Sequence, residues 1–320
     1  MLKNLKNFYG KHLVMIITRK CNLSCSYCNV INQDYKDIGF NKWKKEIDCF
    51  NKFDVTHISL QGGEPTEYRD ILKVIKYIKR KSKATVSLVT NGIKIIKDDD
   101  YRKELSKVGV DSITISINNK FEIKKVRKIL KDFKMVIVNT IISSDNVLDI
   151  PNIIKGIAKY KNCFSNLIII QKEQNLFSKK ENIKKIPSEK DIKKLSKKLI
   201  YLKLKGYPIL NSFEYLKRMN LYASGINWKC KNYAFNRFFA LNNDGQIMVC
   251  QGTPPTGFFL SSLDKKNIKE FKNKVKKITN NCEGCLYDCT FNSSGKRLIK
   301  FLEYCLMMPH IIKNKIIISH

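Results

Sequence analysis

Three cysteines close together near the start of the chain are the residues best placed to do chemistry. Cys21, Cys25 and Cys28 have a CxxxCxxC spacing, and the apolar run from Leu13 to Thr18 precedes them. We therefore expect the thiols on a loop that leaves the C-terminal end of a strand. Thiolates this close in sequence hold iron–sulfur clusters, and three ligands on a four-iron cluster leave one iron open to another molecule. The spacing alone also fits a fragment of a zinc site or of a disulfide framework.

A second motif follows the next apolar run along the chain. Gly62-Gly63-Glu64-Pro65 comes directly after the run from Val55 to Leu60. The CxxxCxxC loop with Tyr27, taken together with this GGEP stretch, resembles the radical S-adenosylmethionine (SAM) superfamily. The resemblance implies a [4Fe–4S] cluster on the three cysteines, with SAM bound at the open iron. It also implies reductive cleavage of SAM to a 5′-deoxyadenosyl radical, which abstracts hydrogen from a substrate. The cofactor carries the difficult chemistry, and the protein contributes placement and exclusion of water.

The same resemblance implies which residues contact SAM. The two glycines allow close approach of the backbone to a ligand, Glu64 adds an acceptor for the SAM ammonium, and Tyr27 would lie near the adenine or simply pack. Thr90-Asn91-Gly92 resembles the family's TNG stretch, and Ser116 resembles a strand serine near the SAM carboxylate or ribose. The expected cofactor-binding residues are Tyr27, Gly62, Gly63, Glu64, Pro65, Thr90, Asn91, Ser116 and Asn139.

Two asparagines leave alternatives open. Many family members have Asp where this chain has Asn118, so the resemblance implies no role for residue 118. Asn139 lies near the end of a buried strand. It either contacts SAM or is a core asparagine with its hydrogen bonds satisfied internally.

The elements that must position these residues alternate between strands and helices. Short apolar runs rich in β-branched residues suit strands buried on both faces; they are Leu13–Thr18, Val55–Leu60, Ala84–Val89, Asp111–Ile117, Met135–Ile142 and Leu167–Gln171. The segments between them, such as Ile71–Lys81 and Lys120–Lys131, have apolar residues at helical spacing. The alternation predicts a parallel α/β sheet, and six units resemble the partial (β/α)6 TIM-like barrel of radical SAM enzymes. Functional loops then lie at the C-terminal ends of the strands.

The chain after this barrel divides into two further parts. Residues 172–190 have the composition of a linker or loop, and Ser188 is expected to cap a helix over Glu189–Leu204. We expect the barrel core at 1–175, a linker and helical segment at 176–227, and a small cysteine-rich domain at 228–320.

The last third carries a second set of cysteines. Ala240 to Cys250 reads as a β-hairpin that turns at Asp244-Gly245. The element Cys-x14-Gly-x4-Cys resembles the auxiliary-cluster extension called SPASM or, when shorter, twitch, although the downstream cysteines are too few for two four-thiolate clusters. The resemblance implies one auxiliary [4Fe–4S] cluster, and structural zinc is the alternative because four thiolates suit zinc equally. The candidate ligands are Cys230, Cys250, Cys282 and Cys285, with Cys289 as a possible substitute. Cys49 and Cys163 are expected to be buried small hydrophobes in helical settings. Cys305 is expected in the core, with a role as a further ligand as the alternative.

Composition bounds the setting of the protein. The chain has 320 residues, eleven cysteines and no long uncharged apolar stretch, so we expect no membrane insertion. We also expect no secretory signal and a reducing, cytoplasmic location with metal-binding cysteines. The formal net charge of +33 favours either an acidic partner or, more simply, a lysine-rich composition without functional meaning.

Three classes of function remain to be compared. The leading hypothesis is a radical SAM oxidoreductase that modifies a peptide or protein side chain and takes electrons from a reductant such as flavodoxin or ferredoxin. The alternative substrate is a small sugar or nucleoside-type molecule, or RNA. A basic zinc-stabilised nucleic-acid-binding protein would explain the charge and the cysteines, but not Gly62-Gly63-Glu64-Pro65. Iron with labile sulfide, rather than zinc, would separate the enzyme from this binding protein.

Overall fold

The apolar runs of the sequence form one eight-stranded sheet within the described part of the chain. The computed structural model describes residues 11–30, 36–171, 177–226, 238–282, 286, 302–303, 305–306 and 309. Its strands are β1 (Lys11–Thr18), β2 (Val55–Gly62), β3 (Thr85–Thr90), β4 (Ser112–Ser116), β5 (Met135–Ile142), β6 (Cys163–Ile169), β7 (Phe238–Leu241) and β8 (Ile247–Met248). Their order is β6-β5-β4-β3-β2-β1-β7-β8. Strands β1 to β7 pair in parallel, and only β8 runs antiparallel to its neighbour.

Helices connect the parallel strands and cover the outer face of the sheet. They are α1 (Phe40–Ile47), α2 (Ile71–Lys81), α3 (Ile93–Lys97), α4 (Asp99–Lys107), α5 (Ile123–Ile129), α6 (Ile150–Ile157), α7 (Glu189–Leu204), α8 (Phe213–Ala223) and α9 (Ile268–Asn280). The architecture is therefore the α/β partial barrel that the sequence predicts. None of the described helices is long and apolar enough to cross a membrane.

The two faces of each strand point into different environments. On β1, Leu13, Met15 and Ile17 belong to the large core shared with the helices. Val14 and Ile16 instead pack in a separate small cluster on the inner face. Side chains alternate between the faces of a strand, so every second residue of the sheet faces the barrel interior.

The sixth strand begins earlier than predicted. It runs from Cys163 to Ile169, with Cys163 paired to Val136 of β5, whereas the sequence suggested Leu167 to Gln171. The apolar pattern failed because Ser165 and Asn166 interrupt it. Cys163 is buried as expected, but it opens a strand and not a helix.

One helix has the predicted boundaries, and the predicted hairpin turns at the expected glycine. Helix α7 begins after Ser188, whose Oγ accepts a hydrogen bond from Asp191 N at 3.1 Å, and ends at Leu204. The predicted hairpin is formed by β7 and β8, and Gly245 has a φ of +88° in its turn. Since β7 pairs with β1, this hairpin continues the barrel sheet.

Candidate functional site

The loop after β1 places three thiols at the C-terminal edge of the sheet. Cys21, Cys25 and Cys28 are each half-buried, while most of the residues between them are exposed. The amide of Cys28 donates to the carbonyl of Cys25 at 3.1 Å, which closes a turn between the second and third cysteines. The position confirms that the thiols leave the C-terminal end of a strand.

The three thiols are electrostatic neighbours on a partly buried loop. Burial raises the pKa of the Cys21 and Cys28 thiols; at Cys28, the N–H of Val30 and the charge of Lys179 oppose that effect. Among the described residues, no three His, Cys, Asp or Glu side chains converge on one ion position. In a [4Fe–4S] cluster each thiolate binds a different iron, and three half-buried thiols on one loop supply the ligands that such a cluster requires. Metal binding would hold these thiols deprotonated despite their burial.

The two glycines of the GGEP stretch lie against the residues that lead into the cysteine loop. Gly62 has a φ of +150°, and a Cβ built on it would lie 2.1 Å from the Thr18 carbonyl oxygen. A Cβ on Gly63 would lie 2.2 Å from the carbonyl oxygen of Lys20. The amides of Gly63 and Glu64 donate to these same two carbonyls at 2.8 Å. Any side chain at either glycine would push the two loops apart, so glycine is required here even without a ligand.

Glu64 joins the GGEP stretch to the loop after β3. Its side chain is buried, and Oε1 accepts hydrogen bonds from the amide and the hydroxyl of Thr66 and from the hydroxyl of Thr90. Its Oε2 accepts from the amide of Asn91 at 2.7 Å. These four bonds give Glu64 a positioning role that the sequence did not indicate, and direct contact with a SAM ammonium stays a prediction. Pro65, also buried, begins the 3-10 turn that follows.

The loop after β3 is in turn attached to the cysteine loop. Asn91 Nδ2 donates to Asn22 Oδ1 at 2.7 Å, and Asn22 Nδ2 donates to Glu67 at 3.4 Å. Thr90 is buried, and its hydroxyl also accepts from the amide of Gly92. Three loops at the ends of β1, β2 and β3 thus form one hydrogen-bonded unit. Asn22 lies inside the CxxxCxxC motif, where no sequence signal set it apart.

Tyr27 connects the cysteine loop to the other side of the barrel. Its hydroxyl accepts from Asn118 Nδ2 at 3.5 Å, and its carbonyl accepts from Asn182 Nδ2 at 2.9 Å. Burial raises the pKa of Tyr27 well above its usual value, which keeps the phenol neutral. Asn118 Oδ1 also accepts from the amide of Ile141, so residue 118 links β4, β5 and the cysteine loop. The segment around Asn182 was expected to be a linker, yet Asn182 itself is buried.

Three polar residues share one level of the inner wall near its C-terminal edge. Ser116 pairs in register with Asn139, and Asn139 pairs with Asn166. The two asparagines are half-buried, and Asn166 Nδ2 donates to Asn139 Oδ1 at 3.0 Å. Sequence reasoning missed Asn166, although a polar residue inside an apolar strand is a usable signal.

Two histidines occupy the inner wall nearer the N-terminal ends of the strands. The rings of His12 and His57 are 4.6 Å apart between centroids. His12 Nε2 hydrogen-bonds to Ser59 and His57 Nδ1 to Thr85. Burial lowers the pKa of both imidazoles, that of His57 to about 4. Their neutral, hydrogen-bonded state fits a structural role for both residues.

The hairpin of β7 and β8 is fixed to the start of the cysteine loop. Asp37 accepts hydrogen bonds from the Thr18 hydroxyl, from the Arg19 amide and from Asn243 Nδ2. Arg19 Nη2 donates to Asn242 Oδ1 at 3.0 Å. The polar turn of the hairpin therefore helps to hold the chain just before Cys21.

Part of the second cysteine set lies within the described residues. Cys250 follows β8, and its thiol pKa is raised by burial and further by the neighbouring Cys282. Cys28 and Cys250 pack on the same small inner cluster of apolar residues. Cys230, Cys285 and Cys289 lie outside the described residues. Cys305, expected in the core, is exposed.

Comparison with known proteins relates the first part of the barrel to a sequence family. Residues 15–137 match the sequence model of the Radical SAM superfamily. A probable GTP 3′,8-cyclase of Methanococcus maripaludis is 33% identical over 116 residues, which are 34% of this chain and 38% of that protein. The protein of the same name from Methanocaldococcus jannaschii is 28% identical over 174 residues, 47% of this chain and 57% of the relative. The chain thus spans less than two thirds of the length of these curated relatives.

Solved structures share the fold of more of the chain. Streptococcus suis SuiB bound to its precursor peptide SuiA superimposes with a TM-score of 0.61 at 15% identity, over 83% of this chain and 66% of SuiB. Native anSMEcpe with bound AdoMet and Cp18Cys peptide superimposes with a TM-score of 0.60 at 17% identity, over 97% of this chain and 99% of anSMEcpe. At these identities the likeness establishes the fold.

Proposed function

Because residues 15–137 are a radical SAM domain, we propose that the protein is a radical SAM enzyme acting on a peptide or protein side chain. Cys21, Cys25 and Cys28 would hold the [4Fe–4S] cluster, and SAM would bind beside them. When bound, this pair supplies the 5′-deoxyadenosyl radical that removes a hydrogen atom from the substrate. The observation that carries the proposal is the hydrogen-bonded unit formed by the cysteine loop, the GGEP stretch and the Thr90-Asn91 loop.

The chain's own residues would bind and orient the reactants. The close contact of Gly62 and Gly63 with the chain before Cys21 fixes the cysteine loop against β2. Tyr27 joins that loop to Asn118 and Asn182, while Ser116 and Asn139 present polar groups from β4 and β5. The buried side chains of Glu64 and Thr90 would limit the access of water to a reactive intermediate from this side.

The substrate class rests on the solved structures that share the fold. SuiB and anSMEcpe both have structures with peptides bound, and anSMEcpe matches over nearly the whole of this chain. A nucleotide is the second candidate, because the curated relatives are named as probable GTP 3′,8-cyclases. Those matches cover 38% and 57% of the two relatives, whereas the likeness to anSMEcpe covers 99% of that protein, so we favour the peptide. An oxidation product would support the oxidoreductase class, and a ring-closed product would support a cyclase.

The second cysteine set is proposed to bind one auxiliary [4Fe–4S] cluster. Cys250 and Cys282 are electrostatic neighbours, and Cys230, Cys285 and Cys289 are the further candidates. A one-electron donor such as flavodoxin or ferredoxin would act as partner. Such chemistry suits the reducing cytoplasm.

Anaerobic iron and sulfide analysis after reconstitution tests the proposal. The wild type should bind about eight irons and the triple variant Cys21→Ala/Cys25→Ala/Cys28→Ala about four, as expected for two clusters and for one. Only the wild type should form 5′-deoxyadenosine with SAM and a reductant. The Cys49→Ala variant is the matched control, since Cys49 is far in sequence from both sets, and it should behave as the wild type.

Other outcomes change the proposal in defined ways. About four irons falling to none would leave the first site in place and make the second a zinc or structural site. Zinc alone without 5′-deoxyadenosine would contradict the enzyme. Stimulation of 5′-deoxyadenosine formation by GTP, and not by cysteine-containing peptides, would favour the nucleotide substrate.

A further inference from the structure

Asn211 has an amide whose orientation is fixed by the backbone. It is fully buried in the segment between α7 and α8. Its Oδ1 accepts a hydrogen bond from the amide of Leu167 at 2.8 Å, and its Nδ2 donates to the carbonyl of Leu167 at 2.8 Å. A backbone N–H can only donate and a carbonyl can only accept. The oxygen and the nitrogen of Asn211 therefore cannot be exchanged.

This orientation is passed on to two asparagines of the sheet. Asn211 Nδ2 also donates to Asn166 Oδ1 at 3.3 Å, and Asn166 Nδ2 donates to Asn139 Oδ1 at 3.0 Å. Turning either amide around would place donor against donor in a half-buried setting, which is unfavourable because the hydrogen bond is lost and both donors stay unpaired. The chain of bonds from Asn211 therefore ends with the oxygen of Asn139 facing Asn166.

The N–H groups of Asn139 consequently point away from Asn166, which lies on the neighbouring strand β6. Asn139 lies on the inner face of β5, in register with Ser116 on β4. None of the described residues accepts a hydrogen bond from Asn139 Nδ2. A group in this position can give two hydrogen bonds and accepts none at its free end.

We infer that Asn166 and Asn211 are positioning residues that orient Asn139 to donate to an oxygen acceptor of bound SAM, its carboxylate or a ribose oxygen. The inference rests on the proposed function, which places SAM against this wall. The predicted contact of Asn139 thereby gains a chemical direction, since the position accepts an oxygen and rejects an ammonium group. Two buried acceptors that face each other form no hydrogen bond, and the cost of removing both from water is then not compensated.

The Asn139→Asp variant tests the direction of this hydrogen bond. Aspartate keeps the shape and still accepts from Asn166, but it replaces the donor by an acceptor. We expect the Kd for SAM, measured by anaerobic equilibrium dialysis of the reconstituted enzyme, to rise about 10- to 100-fold. SAM carries a net positive charge, so an added carboxylate would tighten binding if charge alone mattered.

Decarboxylated SAM separates the two sources of the acceptor. If the SAM carboxylate accepts from Asn139, the penalty of Asn139→Asp disappears with this analogue; if a ribose oxygen accepts, the penalty persists. Either result supports the inference. A Kd within twofold of the wild type for both ligands would overturn it.

Variants at Asn166 separate orientation from packing. Aspartate at 166 can accept from Asn211 but cannot donate to Asn139, so the Asn139 amide must turn and present its oxygen to the interior. Alanine only releases that amide. We therefore expect Asn166→Asp to weaken SAM binding more than Asn166→Ala does, although aspartate is the closer match in size. The reverse order would mean that Asn166 acts only through packing, and it would overturn the proposed orientation of Asn139 by Asn166.

Two controls keep the result distinct from a failure of the proposed function. Asn267→Asp makes the same chemical change at the start of α9, where the half-buried Asn267 donates from Nδ2 to the Ser262 carbonyl, and should leave the Kd unchanged. Thermal unfolding of each variant checks the fold. If the wild type itself fails to bind SAM, the proposed function fails. If the wild type binds SAM but Asn166→Ala weakens binding more than Asn166→Asp does, only the proposed orientation of Asn139 fails.

Discussion

At the scale of single residues, Glu64 of the GGEP stretch holds the loops after β2 and β3 together. Its carboxylate accepts hydrogen bonds from Thr66, Thr90 and Asn91. Changing Glu64 to Gln replaces one accepting oxygen by a donor, which must face donors whichever way the amide lies. We expect the free energy of unfolding, measured by urea denaturation, to fall by about 2 kcal/mol. We also expect weaker binding of SAM, because the loops at the ends of β2 and β3 would separate.

The neighbouring Glu67 provides the matched control for this variant. Its side chain makes a 3.4 Å hydrogen bond with Asn22 and a 4.0 Å ion pair with Lys20 at the surface. Surface pairs of this kind contribute about 0–1 kcal/mol, so Glu67→Gln should change stability less than Glu64→Gln. Equal losses in the two variants would contradict the positioning role of Glu64.

At the scale of elements, the inner face of β1, β2 and β3 makes the protein sensitive to acid. Burial lowers the pKa of His12 and His57, that of His57 to about 4. The unfolded chain then binds more protons than the folded one below the ordinary pKa of about 6.5, so stability falls as the pH drops through that value toward about 4. Above it, both states hold neutral imidazole and the effect vanishes.

Urea denaturation at two pH values measures this effect. Between about pH 8 and about pH 5.5 we expect His57 alone to lower the free energy of unfolding by about 1 kcal/mol. The His57→Gln variant removes the titrating group, so its stability should change less over the same interval. A variant with the same pH dependence as the wild type would show that His57 is not responsible.

The elements also show how far the sequence could predict the site. The cysteine loop and the GGEP stretch were predictable because each directly follows an apolar strand, and parallel strands bring such loops to one edge. The Ser188 cap and the turn at Gly245 were predictable from local chemistry. The contact of Asn22 with Asn91 and the chain from Asn211 to Asn139 were not, because they join residues of different strands and loops. Such contacts depend on strand register, which periodicity alone does not give.

At the scale of the whole molecule, the excess of lysine opposes the compact state. Lys and Arg number 61 against 28 Asp and Glu, a formal net charge of +33. Many of these cations lie on the outer helices; on α7, for instance, Lys193 and Lys197 are exposed one turn apart. Like charges confined to a folded surface repel more than they do in an expanded chain. Screening of this repulsion by salt should therefore stabilise the folded protein relative to the unfolded chain.

Raising the salt concentration should consequently stabilise the protein. From about 20 mM to about 300 mM NaCl the screening length falls severalfold, and we expect the free energy of unfolding to rise by about 1 kcal/mol or more. The double variant Lys193→Glu/Lys197→Glu lowers the repulsion directly and should be less dependent on salt, whereas Lys193→Arg/Lys197→Arg keeps the charge and should match the wild type. Stability that falls with salt would mean that local ion pairs, such as Lys79 with Asp111 at 2.9 Å, outweigh the repulsion. In that case the net charge would not limit the stability of the fold, and an acidic partner or the composition of the chain would have to explain it.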